Sequence, residues 1–220
     1  MTNDKDVTMT ARPTSPTEAW ATLKAGNARF MAGALSHPNQ DVQARGELAQ
    51  GQKPFAVFFG CADSRVAAEI IFDQGLGDLF VVRTAGHVVD PSVLGSLEFG
   101  VAVLDAPLIV ILGHDSCGAI TATLAAVESG QMPGGFLRDI VERVAPSVMT
   151  AAHAGRATTD EVEREHVRST ARLLAERSTV IHQRLAAGTL AIVGAEYNLA
   201  HGEARLVTVV GDVGDEPVPD

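Results

Sequence analysis

Residues 107–130 read PLIVILGHDSCGAITATLAAVESG. Five consecutive aliphatic residues, Leu108 to Leu112, run into a polar corner, and Gly118 onward carries apolar residues at helical spacing. A strand with no polar alternation must be covered on both faces, and a helix that follows it directly supplies part of that cover. The same unit occurs twice upstream. FAVFFG (55–60) leads into VAAEIIFDQ (66–74), and DLFVVRTAG (78–86) leads into SVLGSLEFGVAVL (92–104). Strands alternating with helices imply right-handed crossovers, hence an α/β fold with a mainly parallel β-sheet flanked by helices.

On the N-terminal side, SPTEAWATLKAGNARFMAG (15–33) opens with a Ser/Thr start and then places Ala19, Leu23 and Phe30 on one face, which predicts a helix from about Pro16 to Ala32. We expect this N-terminal helical arm to need cover for its apolar face. On the C-terminal side, two helical stretches, about 136–152 and 161–187, predict an appended C-terminal helical lobe. LAIVGAEYNLAHGEARLVTVV (190–210) then reads as two strands around a polar turn near His201 and Gly202, one of them an antiparallel edge strand. The expected organisation is a disordered leader over 1–15, one catalytic domain over 16–213 and a flexible tail over 214–220.

A chain of 220 residues with 46% hydrophobic residues buries one sizeable core. The formal net charge of -10 argues against nucleic acid or an anionic membrane surface as partner. No segment approaches the roughly 20 apolar residues that span a bilayer. Two cysteines make no disulfide framework, and free thiols suit a reducing compartment, so a cytoplasmic location is expected.

Both cysteines stand where an apolar strand ends. Cys61 closes FFGC and is followed by Asp63 and Arg65; Cys117 lies three residues after His114 in GHDSC. Carboxyl ends of parallel strands converge on the crevice where α/β proteins bind ligands. The residues alone leave three readings: packing at strand ends, a Cys–His nucleophile pair that gives Cys117 no role, or two thiolates and an imidazole set to hold a tetrahedral Zn²⁺ with one position open.

CADSR (61–65) followed by GHDSCGA (113–119) resembles the β-class carbonic anhydrase family of bacterial type, and the likeness extends from AWATLKAGNARF (19–30) to GAEYNLAHGEARLV (194–207). The resemblance implies zinc-dependent, reversible hydration of CO2 to bicarbonate and a proton by zinc-bound hydroxide. It assigns one Zn²⁺ per chain to Cys61, His114 and Cys117. Asp63 and Arg65 become a catalytic dyad that orients the hydroxide, with Asp63 itself a zinc ligand in a closed form of the site. Two thiolates cancel the formal charge of the ion, which favours activity on the alkaline side. The substrate pocket maps to Gln52, Phe80, Ala85, Phe99 and Gly118. Arg83 and Tyr197 match two of three residues of a regulatory bicarbonate site found in some members, but Phe58 stands where the third, a tryptophan, is required, so that site is expected to be absent or weak.

Family members assemble as dimers or multiples of dimers with pocket residues shared across the interface, so a homodimer or a dimer of dimers is expected, and the arm fits that. Alternatives of different chemistry are hydrolysis of CS2 or COS, or a catalytically silent zinc-binding module. His37, His153, His166, His182 and His201 are read as polar or helical surface residues, and His87 as a hydrogen-bonded histidine after a strand. The acidic TTDEVERE (158–165) is read as a helix start with no ligand.

Overall fold

The computed structural model describes residues 12–217. Five strands, β1 (Ala56–Cys61), β2 (Leu79–Thr84), β3 (Leu108–His114), β4 (Ala191–Tyr197) and β5 (Ala204–Val210), form one sheet in the order β2-β1-β3-β4-β5. Every neighbouring pair is parallel except β4 and β5. β1, β3 and β4 are buried at every position, as their unbroken apolar runs require.

Among the described residues, eight α-helices surround the sheet: α1 (Pro16–Met31), α2 (Val42–Leu48), α3 (Ala68–Ile71), α4 (Pro91–Ala102), α5 (Gly118–Ser129), α6 (Leu137–His153), α7 (Thr159–Arg177) and α8 (Thr179–Ala186). Strand side chains alternate between two cores. Phe58, Val110 and Val193 pack with Trp20 and Leu23 of α1. Val57, Ile109 and Ile192 face Leu97 of α4, Val167 and Leu174 of α7, and Ile181 of α8.

The first helix starts where expected, on a capping box between Ser15 and Glu18. Its apolar face, however, is covered by its own chain: Ala19, Trp20 and Leu23 are buried in the core, and Trp20 Nε1 donates to Asp215 Oδ2 at 2.8 Å. The helix therefore gives no reason to expect a second chain over it. Of the expected leader, residues 1–11 lie outside the described residues, while the Arg12 guanidinium bonds the Gly77 carbonyl and faces Asp78. In the expected tail, residues 218–220 lie outside them, and Asp215 is tied to Lys24 as well as to Trp20.

Three local departures from the sequence reading have local causes. The helix expected over 161–187 breaks at Ser178, whose backbone is extended (φ -97, ψ 113) and whose hydroxyl accepts from Ile181 N and donates to Glu98. The helix expected over 66–74 shrinks to four residues. The exposed α2, capped by Asp41, buries nothing and so left no apolar stripe to read. The expected helical lobe is built from α6, α7 and α8, which together with α5 connect β3 to β4, and Val167, Ala171 and Leu174 of α7 pack directly on the sheet.

β1 leads to β2 on one side, whereas β3 leads to β4 on the other. The carboxyl ends of β1 and β3 therefore frame a topological switch point, where open α/β sheets place their ligands.

Helix packing is testable at two glycines, Gly26 of α1 and Gly46 of α2. A Cβ on Gly26 would lie 1.7 Å from the Phe72 carbonyl oxygen, so Gly26→Ala must lift α1 from the core and should cost about 1–3 kcal/mol in denaturant unfolding. Gly46→Ala, where a Cβ meets nothing, should be stabilising by about 0.5–1 kcal/mol in the same measurement.

Candidate metal centre

Cys61 is the last residue of β1 and His114 the last of β3. Ser116 then adopts a left-handed backbone (φ 54) that turns the chain sharply, and Cys117 takes the N-cap position of α5. The two sulfurs and a ring nitrogen of His114 lie within 4.8 Å of one another, and all three residues are buried. Ile120 of α5, Val144 and Val148 of α6 and Val162 of α7 close around the cysteines. His114 Nδ1 sits 2.8 Å from the Asp115 carbonyl oxygen, which places the ring proton on Nδ1 and leaves a lone pair on Nε2. That Nε2 is buried and has no hydrogen-bond partner.

The cysteines are electrostatically unlike. Hydrogen bonding with the Cys117 thiol, then with His114 and with the Gly86 N–H at 3.3 Å, outweighs burial and lowers the Cys61 pKa. The same pairing, reinforced by burial, pushes the Cys117 thiol far up. Asp63 is turned toward Arg65: Nε reaches Oδ1 at 2.9 Å, Nη2 reaches Oδ2 at 2.7 Å, and the Arg65 N–H adds a third bond at 2.9 Å. These bonds hold the Asp63 carboxyl well below the usual carboxylate range. Its Oδ2 stands 3.8 Å from His114 Nε2. Arg83 braces the segment from behind, donating to the Cys61 carbonyl at 2.9 Å and the Asp63 carbonyl at 2.6 Å. The other two residues compared with a regulatory site, Phe58 and Tyr197, are both buried.

The pocket residues expected from the sequence fall into two groups. Ala85 opens a 3-10 turn (Ala85–His87) directly after β2, beside the Gly86 that bonds Cys61. Gly118 is the first residue of α5, and a Cβ there would meet open space. Gln52, Phe80 and Phe99 lie elsewhere. Gln52 is exposed ahead of β1. Phe80 pairs in register with Val57, whereas Cys61 pairs with Thr84, so Phe80 lies back along the sheet by roughly 13 Å. Its ring meets Phe99 at 5.9 Å, and Phe99 is 44% exposed. One chain alone does not bring these three to the cysteines.

Three residues beneath the cluster were misread. His166 is not a surface residue: it is buried, with Nε2 3.0 Å from the Gly86 carbonyl oxygen and Nδ1 2.9 Å from Ser147 Oγ, and burial lowers its pKa to about 4. His87 is not hydrogen-bonded: it is fully buried, neither ring nitrogen has a partner, and its ring lies 4.4 Å from that of His166. Glu163, inside the acidic run, is fully buried; Oε1 accepts from the His114 N–H at 3.1 Å and lies 3.6 Å from His87 Nδ1, and burial raises its pKa to about 8. The run does start a helix, through a Thr158–Glu161 capping box. The buried stripe of Val167, Thr170 and Leu174, carried back one helical turn, lands on Glu163 and was the available signal.

The sequence model of the carbonic anhydrase family matches residues 56–204, which contain every residue of this cluster. Carbonic anhydrase 2 of Mycobacterium tuberculosis is 59% identical over 203 residues, covering 92% of this chain and 98% of the relative. The chain belongs to the β-carbonic anhydrase family. A carbonic anhydrase of Mycolicibacterium smegmatis is also 59% identical, over 91% of this chain and 98% of its own. The fold agrees with solved β-carbonic anhydrases. CafA of Aspergillus fumigatus superposes with a TM-score of 0.66 at 25% identity over 86% of this chain and 88% of that one. A Sordaria macrospora enzyme, described as tetrameric, gives 0.68 at 23% identity over 85% and 95%.

The lowered Cys61 pKa makes its thiolate a feature of the folded, metal-free protein. The anion's stabilising contribution is complete above the ordinary thiol value near 9.0 and is lost as pH falls through the lowered value in the folded chain. Ultraviolet thiolate absorbance of metal-free protein should therefore persist for one cysteine per chain at pH about 6, and Cys61→Ser should abolish it. Titration of both thiols near pH 9 would contradict the assignment.

Proposed function

We propose that this β-carbonic anhydrase catalyses the reversible hydration of CO2 to bicarbonate and a proton, with one Zn²⁺ per chain held by Cys61 Sγ, His114 Nε2 and Cys117 Sγ. The observation that carries the reading is the buried, partnerless lone pair of His114 Nε2 gathered with two sulfurs. Such an atom is costly unless something binds it, and two thiolates with one imidazole form a ligand set suited to zinc, with a fourth position left for chemistry. When bound, zinc acidifies a coordinated water, so that hydroxide is available near neutral pH.

The chain's own residues supply orientation. Asp63, kept ionised by Arg65, offers carboxylate lone pairs to the attacking oxygen and so aims it. Arg65 also holds that carboxylate to one side of His114 Nε2, from which Oδ2 stands 3.8 Å. Arg83 fixes the backbone that carries Cys61 and Asp63. Ala85 and Gly118, small and adjacent to the cluster, leave room for a linear triatomic substrate.

Gln52, Phe80 and Phe99 complete the pocket of a second copy across a homodimer interface, alone or within a dimer of dimers. Support comes from their separation from the chain's own cluster and from the exposure of Phe99 and Val103 along α4 (44% and 63%). Both cysteines are free, which fits the cytoplasm, and no described helix is long and apolar enough to cross a membrane.

Stopped-flow CO2 hydration on protein of measured zinc content tests the reading, and absent hydration at full zinc occupancy would end it. Cys61→Ser and Cys117→Ser should each lose most of the zinc by elemental analysis, because a hydroxyl is a far poorer ligand than a thiolate. Arg65→Ala should retain zinc and lower hydration by about 10–100-fold. Phe99→Asp should yield a monomer in sedimentation with little activity; an active monomer would remove the shared pocket.

A further inference from the structure

We infer that Glu163 is a positioning residue of the metal centre, holding the main chain of His114 on the side facing β1, where the ladder has ended, while on the other side His114 stays in register with Tyr197 of β4. The inference rests on the reading of Cys61, His114 and Cys117 as metal ligands. The ladder between β1 and β3 ends at Gly60 and Leu112, so His114 lies beyond its last rung on that side. A buried N–H left there without an acceptor would cost free energy and loosen the residue that carries the ligand nitrogen. Glu163 Oε1 accepts that N–H at 3.1 Å, from a helix separated from His114 by 49 positions of sequence.

The fit between strand and helix is specific. A Cβ on Gly113 would fall 2.5 Å from Glu163 Oε1 and 2.6 Å from Val167 Cγ2, so the carboxylate occupies the space of an absent side chain. Any larger residue at 113 displaces either the carboxylate or α7. Packing alone would have been served by an apolar side chain at 163, as Val167 and Leu174 serve the same stripe. A fully buried polar carboxyl group is costly there, and its short contact is with the ligand-bearing residue.

The same helix face reaches the other half of the centre. His166, one turn after Glu163, donates through Nε2 to the Gly86 carbonyl at 3.0 Å, and the Gly86 N–H donates to Cys61 Sγ at 3.3 Å. α7 thus fixes the backbone of His114 directly and the hydrogen-bond donor of Cys61 at one remove. Partners of metal ligands of this kind typically change metal affinity by about 10–100-fold when removed.

The test compares wild-type protein with Glu163→Leu, Glu163→Gln and Gly113→Ala, by zinc competition against a chromophoric chelator and by the visible spectrum of the Co²⁺-substituted protein. Glu163→Leu should bind zinc about 10–100-fold more weakly and shift the cobalt bands. Glu163→Gln keeps an oxygen for the His114 N–H and should stay close to wild type in both. Gly113→Ala keeps the carboxylate but drives it from its place, and should follow Glu163→Leu. Wild-type affinity and cobalt spectrum in Glu163→Leu overturn the inference, as does a Glu163→Gln variant that falls as far as the leucine. If Glu163→Leu does not fold, Gly113→Ala decides, and wild-type binding there overturns it. Wild-type protein that takes up no zinc sinks the ligand set and this inference together, whereas normal zinc uptake with indifference to position 163 sinks this inference alone.

Discussion

Among the described residues, buried His114 Nε2 is left without a hydrogen-bond partner, facing the Cys61 sulfur, and the surroundings are arranged so that it stays that way. The Asp115 carbonyl fixes the tautomer, the Arg65 guanidinium draws the nearest carboxylate aside, and the aliphatic side chains of α5, α6 and α7 close around the neighbouring sulfurs. A buried polar atom without a partner is unfavourable in a folded chain. Its persistence here depends on the sheet order, because only adjacency of β1 and β3 brings Cys61 within 4.8 Å of His114 and Cys117. The ligand set is therefore a product of long-range strand pairing rather than of a local loop.

Charge is distributed around this point with a clear division of labour. The cations that face the cluster region, Arg65 and Arg83, act on the Asp63 carboxylate and on two main-chain carbonyls. The imidazoles beneath it, His87 and His166, are kept neutral by burial. Cys61 carries the readily formed negative charge among the ligand atoms. A divalent cation entering such a site would meet two sulfurs and one imidazole, so that uptake of metal would be coupled to loss of protons.

What the sequence made legible is what burial writes in long patterns. The unbroken apolar runs of β1 and β3, the helix start at Ser15 with Glu18 and the cysteines at strand ends each follow from a constraint acting within a few residues. Other features answer to partners far away in sequence. Glu163 looks like one more acid in a polar helix start until α7 is laid across the sheet, and His166 looks exposed until Ser147 and Gly86 meet it. The cover of α1 was misjudged for the same reason, since Trp20 is matched by residues as distant as Asp215. Phe80 marks the converse limit: a resemblance grouped it with the cysteines, but the register of β1 and β2 sets it back from them within one chain.

The absent side chain at Gly113 has a consequence for how the protein can vary over time. Because Glu163 Oε1 fills the volume that a Cβ at 113 would occupy, neither position is free to drift alone. A methyl group gained on the strand requires a shorter side chain on the helix, and a shorter side chain on the helix leaves the His114 N–H without its acceptor. Among descendants of this sequence the two positions should therefore be inherited as a pair, and recombination that separates β3 from α7 should be tolerated only between parents that share both.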